Sequence, residues 1–192
     1  MESLRKFVAP EIVFGAGALA LAGRYARNLG ASKVFLVSDP GVEKAGWTDA
    51  VAQSLEAESL DYARYTAVSP NPRAEEVMVG AERYARQACD VIIAVGGGSP
   101  MDCAKAIGVV HTNRRHVLEF EGVDRVDIPG PPLICIPTTA GTSSDVSQFA
   151  IVSNHFEKRK IAILSKSVIP DVALVDPQPT TTMAVSYTHL RA

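Results

Sequence analysis

The sequence predicts an α/β protein in which a Rossmann-like parallel sheet is flanked by helices. Short apolar segments alternate with longer segments of helical character along most of the chain. Two of the apolar segments, VIIAV and PLICIP, contain no charged residue, as expected of strands buried on both faces. A third observation is that glycine-rich or hydroxyl-rich segments follow these strands, at the edge where open α/β sheets bind ligands.

The individual elements follow from the positions of apolar runs, glycines and prolines. Gly30 is expected to close the first helix, and Pro40 with Gly41 is expected to stop the second strand. We predict strands at 6–15, 33–39, 61–68, 91–95 and 132–137, helices at 16–29, 48–58, 73–87 and 101–111, and a turn at 69–72.

The alternation of strands and helices ends at Gln148. Beyond it, the short apolar segments 161–165 and 171–176 are predicted to form a hairpin or a pair of edge strands. The chain has no internal repeat and no low-complexity segment.

Composition excludes several classes of protein. The 192 residues are 47% hydrophobic and carry a formal net charge of −2, which does not indicate binding to nucleic acid or an anionic membrane. No apolar run approaches the roughly 20 residues of a membrane span, and the first residues lack a signal-peptide core. The three cysteines are far apart and form neither a disulfide framework nor a zinc knuckle, so we expect a cytoplasmic protein.

Three consecutive glycines and a serine, Gly96 to Ser99, follow the apolar segment VIIAV; we call them the glycine loop. Without β-carbons, an anion can approach the loop amides closely. Ser99 and Pro100 suit the N-cap and first position of a helix, and Asp102 completes a capping-box pattern. The free amides of that helix end favour a phosphate. The alternative is a tight strand-to-helix turn without a ligand.

The glycine loop is not the Rossmann fingerprint, because its glycines are contiguous and Met101 stands where the third glycine of GxGxxG belongs. The acid that ends a buried strand, Asp39, also precedes the glycines instead of following them. Its carboxylate could accept both hydroxyls of an adenosine ribose and repel a 2′-phosphate, which would favour NAD over NADP. The alternative is a turn-forming aspartate before Pro-Gly.

A second polar segment, IPTTAGTSSDVS at residues 136–147, follows another predicted strand and is called the hydroxyl segment below. It should therefore lie at the same sheet edge as the glycine loop. Hydroxyls and loop amides can bind a pyrophosphate without a buried cation. The hydroxyl groups belong to Thr138, Thr139, Thr142, Ser143 and Ser144.

No catalytic or metal-ligating set can be assembled from the sequence. His111 and His116 are five residues apart, which does not place them on one helix face, and His155 lies in a predicted turn. The serines and cysteines also lack a histidine and an acid that could complete a nucleophilic triad.

The stretches AVGGGSPMDCAKAIG, PPLICIPTTAGTSSDVSQFAIV and KIAILSKSVIPDVALVDP resemble the N-terminal, cofactor-binding half of the iron-containing alcohol dehydrogenase family. The resemblance implies NAD as a cofactor, and Fe²⁺ or Zn²⁺ in the full-length parent. By resemblance, the pyrophosphate site comprises Gly97, Gly98, Ser99 and Asp102, while Thr138, Thr139 and Thr142 line the phosphates and the nicotinamide ribose. Asp39 matches the position that favours NAD, and Asn71 and Lys160 match positions that contact the cofactor.

The sequence also departs from the family pattern. Ser143-Ser144-Asp145 replaces the usual Gly-Ser-Glu after PTTAGT. The resemblance implies a further helical domain that carries the family's metal ligands, and we expect it to be missing from these 192 residues. Residues 1–183 are accordingly expected to be a dinucleotide-binding domain and 184–192 a foreign or adventitious tail.

The resemblance implies that the protein catalyses a metal-dependent transfer of hydride between a small primary alcohol or aldehyde and NAD. The full-length parent is expected to be a homo-oligomer, and the chain as given is expected to be inactive. The alternative is a non-catalytic, alcohol-dehydrogenase-like regulatory or nucleotide-binding module.

Overall fold

The computed structural model describes residues 8–183, which form nine strands and five α-helices. The strands are β1 Glu11–Phe14, β2 Lys33–Val37, β3 Asp61–Tyr65, β4 Val91–Gly96, β5 Gly122–Val123, β6 Leu133–Pro137, β7 Phe149–Asn154, β8 Arg159–Leu164 and β9 Val172–Val175. The helices are α1 Ala22–Asn28, α2 Pro40–Lys44, α3 Trp47–Ala57, α4 Ala74–Arg86 and α5 Gly98–Asn113. Short 3₁₀ turns occur at Ala18–Leu21, Val117–Phe120, Lys166–Val168 and Gln178–Thr182.

Six strands form a sheet in the order β1-β9-β6-β4-β2-β3, and every neighbouring pair is parallel. Alternate residues of each strand enter two different cores. Phe35 and Ile92 pack towards α4 and α5 on one face, whereas Leu36 and Ile93 pack towards α1 and α3 on the other. The predicted Rossmann-like parallel sheet with flanking helices is confirmed.

The prediction of a hairpin or an edge-strand pair at 161–165 and 171–176 is wrong. The first segment lies in β8, which pairs antiparallel with β7 in a separate three-stranded sheet ordered β5-β8-β7. The second contains β9, an inner strand of the six-stranded sheet. Val172, Ala173 and Leu174 are all at least 97% buried, and a run of buried residues without alternation is the mark of an inner parallel strand.

Pro40 and Gly41 follow β2 as predicted, but they do not form a simple turn. Pro40 opens the short helix α2, with Asp39 as the N-cap, because proline fits the first helical position where no amide partner is needed. The predicted helix at 16–29 is divided into the 3₁₀ turn and α1, and Gly30 follows it with a φ of 84°.

No helix among residues 8–183 is long and apolar enough to cross a membrane. The three cysteines are free and buried. Burial raises the pKa of the Cys89 thiol to about 11 and that of Cys135 to about 12, so these thiols stay protonated and unreactive. The predicted tail at 184–192, like residues 6 and 7 of the first predicted strand, lies outside the described residues.

Candidate cofactor-binding site

The glycine loop joins the carboxyl end of β4 directly to the first turn of α5. Gly96 has a φ of +148°, and a Cβ atom there would lie only 2.7 Å from the Cγ atom of Pro100. Gly97 is the N-cap in an extended conformation, and α5 begins at Gly98. Glycine is therefore required at position 96 by the backbone, while positions 97 and 98 leave their amides bare at a helix end.

The predicted capping box of Ser99 and Asp102 is wrong, since both residues lie inside α5. The helix begins earlier than expected because Pro100, within the first turn, has no amide that would need a partner. The Ser99 Oγ atom instead accepts a hydrogen bond from the backbone N–H of Asn71 at 3.1 Å. The carboxylate of Asp102, only 9% exposed, accepts the Ile151 amide proton at 3.2 Å.

The hydroxyl segment lies against the glycine loop, as the sequence predicted. A Cβ atom on Gly97 would lie 3.2 Å from Thr139 Oγ1, and one on Gly98 would lie 3.3 Å from Ser144 Oγ. The Thr138 amide donates to the Gly96 carbonyl at 2.9 Å, which ties the two segments together. Thr139 Oγ1 is buried and has no hydrogen-bond partner among the described residues, so it remains available for a ligand.

A second contact joins three of the predicted residues at the same edge. The Lys160 ammonium group donates to the side-chain oxygen Oδ1 of Asn71 at 2.7 Å, and the backbone N–H of Asn71 donates to Ser99 Oγ. Asn71 has a φ of 59°, a left-handed conformation that asparagine tolerates better than most residues. Lys160 comes from β8, so the second sheet contributes a cation to the edge formed by the first.

Asp39 caps the helix that follows β2, and its ribose-binding role stays a prediction. Its Oδ1 atom caps α2 by accepting the amide protons of Gly41 and Val42 at 2.8 and 3.0 Å. Its Oδ2 atom lies 3.4 Å from the position of a Cβ atom on Gly96. The carboxylate is therefore a helix cap that also stands beside the glycine loop.

One buried residue at this site was missed in the sequence. Lys105 on α5 is 2% exposed, and its ammonium group donates to the Ser147 and Phe149 carbonyls at 2.8 and 2.9 Å. Burial lowers the pKa of Lys105 and raises that of Asp102, and each charge partly offsets the shift of the other. The available signal was a lysine three residues after Asp102, within an otherwise apolar helix.

Two of the three histidines among residues 8–183 contact neighbouring parts of the fold. His111 packs edge-on against Tyr84 with ring centroids 4.6 Å apart, and burial lowers its pKa. His116 Nδ1 accepts the Leu118 amide proton, and His155 is exposed. Across residues 8–183, no group of three or more His, Cys, Asp or Glu side chains is placed to hold a metal ion.

The backbone conformation of Ser143 indicates that glycine at this position would stabilise the protein. Ser143 has a φ of 54°, and non-glycine residues in this region are strained. We expect Ser143→Gly to raise the free energy of unfolding by up to about 1 kcal/mol, measured by urea denaturation. Ser32→Gly, at an exposed position without a positive φ, should give no gain. A fall in stability for Ser143→Gly would contradict the assignment of strain.

Comparison with known proteins identifies relatives along most of the chain. The family model described as iron-containing alcohol dehydrogenase matches residues 9–177. The chain is 39% identical to alcohol dehydrogenase 4 of Schizosaccharomyces pombe over 86% of its own length and 39% of that protein. It is 33% identical to the NAD-dependent methanol dehydrogenase of Bacillus methanolicus over 90% of its length and 45% of that enzyme.

Solved structures give the same result at the level of the fold. A crystal structure of 1,3-propanediol oxidoreductase superimposes with a TM-score of 0.89 and 33% identity, covering 92% of this chain and 47% of that one. The sulfoacetaldehyde reductase from Bifidobacterium kashiwanohense, solved in complex with NAD⁺, gives a TM-score of 0.80 and 29% identity, covering 93% and 48%. The chain thus spans less than half the length of each of these four proteins.

Proposed function

Because this chain belongs to the iron-containing alcohol dehydrogenase family, we propose that it is the NAD-binding part of a metal-dependent alcohol dehydrogenase. The reaction is hydride transfer between a small primary alcohol or aldehyde and NAD. The observation that carries the proposal is the contact between the glycine loop and the hydroxyl segment. At this contact Thr139 Oγ1 is buried beside Gly97 and has no hydrogen-bond partner within residues 8–183.

The pyrophosphate is the group that these residues suit best. The first amides of α5, including those of Gly98 and Ser99, have no partner within the helix and carry its partial positive charge. That charge stabilises an anion by roughly 0.3–1 kcal/mol through the helix dipole alone. Thr139 supplies a hydroxyl donor at the same point, and Thr138 and Thr142 complete the hydroxyl lining.

The side chains that flank the glycine loop are assigned to other parts of the cofactor. Oδ2 of Asp39, which is not the oxygen used to cap α2, is proposed to accept the adenosine ribose hydroxyls. Asn71 and Lys160 are proposed to contact the cofactor at the other end of the glycine loop, where they already form a hydrogen bond. Asp102 acts in this arrangement as a buried partner of the Ile151 amide.

When bound, NAD supplies the hydride acceptor, while this part of the protein binds and orients it. Residues 8–183 do not form a metal site, so we assign them no step that involves the metal. Fe²⁺ or Zn²⁺ is proposed to be held by residues of the full-length protein outside this range.

Binding of NADH to the 192-residue chain tests the proposal. Isothermal titration calorimetry, with the change of NADH fluorescence as a second signal, should show one weak site per chain. ADP should compete with NADH, because it carries the adenosine ribose and two phosphates. Absence of binding at millimolar NADH by a folded chain would refute the proposed nucleotide site.

Turnover gives a separate prediction. The 192-residue chain is expected to form no NADH from NAD with ethanol, 1,3-propanediol or butanol, and added Fe²⁺ or Zn²⁺ should not change this, since its described residues offer no ligand set. The measurement is NADH absorbance over time, with a complete family member as the positive control. Metal-dependent turnover would overturn this prediction. Conversely, a full-length protein that binds NADH but oxidises no alcohol would favour the regulatory alternative.

A further inference from the structure

Three residues on one face of α5 contact the hydroxyl segment and β7. Gly98, Asp102 and Lys105 are spaced i, i+4 and i+7, so they lie on the same side of the helix. Gly98 faces Ser144 and Thr142, Asp102 bonds the Ile151 amide, and Lys105 bonds the backbone at residues 147 and 149. The three contacts run in order from the nucleotide edge into the protein.

Lys105 uses its full hydrogen-bonding capacity on Ser147, at the end of the hydroxyl segment, and Phe149, at the start of β7. An ammonium group has three donor protons, and Nζ lies 2.8 Å from the Ser147 carbonyl, 2.9 Å from the Phe149 carbonyl and 3.3 Å from Ser147 Oγ. Within residues 8–183 it forms no salt bridge, although Asp102 and Asp145 are near enough to favour its charged form. A buried cation held by neutral oxygens is costly compared with an apolar side chain, which indicates a role beyond packing.

The segment that Lys105 holds has little regular structure of its own. Between the end of β6 at Pro137 and the start of β7 at Phe149, the described backbone forms no strand or helix. Its internal bonds include a 3.2 Å contact from the Val146 amide to the Ser143 carbonyl, and Gly141 and Ser143 both have positive φ. One end is held by the Thr138–Gly96 bond, and the Ser165 amide donates to the Gln148 carbonyl at 3.1 Å near the other. The contacts with α5 add to these two bonds in fixing its position relative to the glycine loop.

We propose that Lys105 is a positioning residue for the nucleotide site, which holds the hydroxyl segment against α5 so that Thr139 and Thr142 stay over the glycine loop. The inference rests on the proposed function, because it concerns the same NAD site. Lys105 does not touch the cofactor in this arrangement; it acts through the backbone at Ser147 and Phe149.

The first test is hydrogen exchange without nucleotide. In Lys105→Met, which keeps the length of the side chain but removes its donors, amides of residues 138–149 should exchange about tenfold faster than in the wild type. Amides of β2 and β4 should be unchanged. Uniformly faster exchange throughout the chain, or no change in residues 138–149, would overturn the proposal.

The second test is NADH affinity with chemical rescue. Lys105→Ala should weaken NADH binding about tenfold, and propylammonium, which matches the missing atoms, should restore much of the affinity, whereas neutral propanol should not. Lys166→Ala, at an exposed lysine, is the matched control and should bind like the wild type. A wild-type chain that binds no NADH refutes the proposed function itself. Wild-type binding with an unaltered Lys105→Ala affinity, or a lost affinity that propylammonium cannot restore, refutes only the role of Lys105.

Discussion

Replacing Gly98 with valine is expected to weaken NADH binding at least about tenfold, a loss of roughly 1.4 kcal/mol. Even a single Cβ atom added at this position would lie 3.3 Å from Ser144 Oγ and 3.4 Å from Thr142 Cβ. The two γ-carbons of valine would reach further into these side chains and displace the hydroxyl segment. They would also cover the first free amides of α5, which the pyrophosphate must approach. Calorimetric titration with NADH gives the affinity.

A graded series separates loss of the site from loss of the fold. Gly98→Ala adds only the Cβ atom, so its effect should fall between those of the wild type and Gly98→Val. Ala57→Val adds similar bulk at the exposed end of α3 and should bind NADH normally. The free energy of unfolding is measured for all variants. If Gly98→Val remains folded and binds NADH as tightly as the wild type, the glycine loop is not the pyrophosphate site.

Removing the charge of Asp39 is expected to shift selectivity from NADH towards NADPH by about 100-fold, or roughly 2.7 kcal/mol in the difference between the two affinities. The carboxylate beside the glycine loop would repel a 2′-phosphate and accept the ribose hydroxyls of NADH. Asp39→Gly makes room for the phosphate but also removes the cap of α2. Asp39→Asn retains an oxygen that can cap α2 and removes only the charge.

The quantity to measure is the ratio of the dissociation constants for NADPH and NADH. Both Asp39 variants should lower it, and only Asp39→Gly should also lower the free energy of unfolding, by roughly a few tenths of a kcal/mol, the usual cost of replacing an N-cap aspartate with glycine. Asp61→Asn, at the opposite edge of the sheet where β3 begins, should leave the ratio unchanged. An unchanged ratio in both Asp39 variants, accompanied by lower stability in Asp39→Gly, would show that Asp39 serves only as a cap.

The sheet was predictable because inner parallel strands are buried on both faces and therefore read as unbroken apolar runs. Residues 172–175 are also an unbroken apolar run, but no helix precedes them, so the alternation that marks a parallel strand is missing there. No helix separates β8 from β9, only the 3₁₀ turn at Lys166–Val168. Proximity in sequence suggested pairing between segments that in fact belong to different sheets.

The juxtaposition of the glycine loop and the hydroxyl segment was also predictable, because strands β4 and β6 end at the same edge. The start of α5 was not, because Ser-Pro is equally compatible with an N-cap followed by a first residue and with two positions inside the first turn. The role of Lys105 depends on three acceptors more than 40 residues away along the chain, which no local pattern encodes. Sequence patterns indicate which strand ends meet at one edge of the sheet, whereas hydrogen bonds between distant residues are seen only in the folded structure.

The pairing of β1 with β9 has a consequence for synthesis on the ribosome. β1 is made first, yet its only neighbour in the described sheet is the last strand, which begins at Val172. At the usual 5–20 residues per second, translation takes about 10 to 30 s to pass from one strand to the other. During this interval the β1 backbone lacks its sheet partner, while β2, β3, β4 and β6 emerge and can assemble among themselves. Nascent chains should therefore gain β1 protection from proteolysis abruptly, and only after residue 175 has left the exit tunnel.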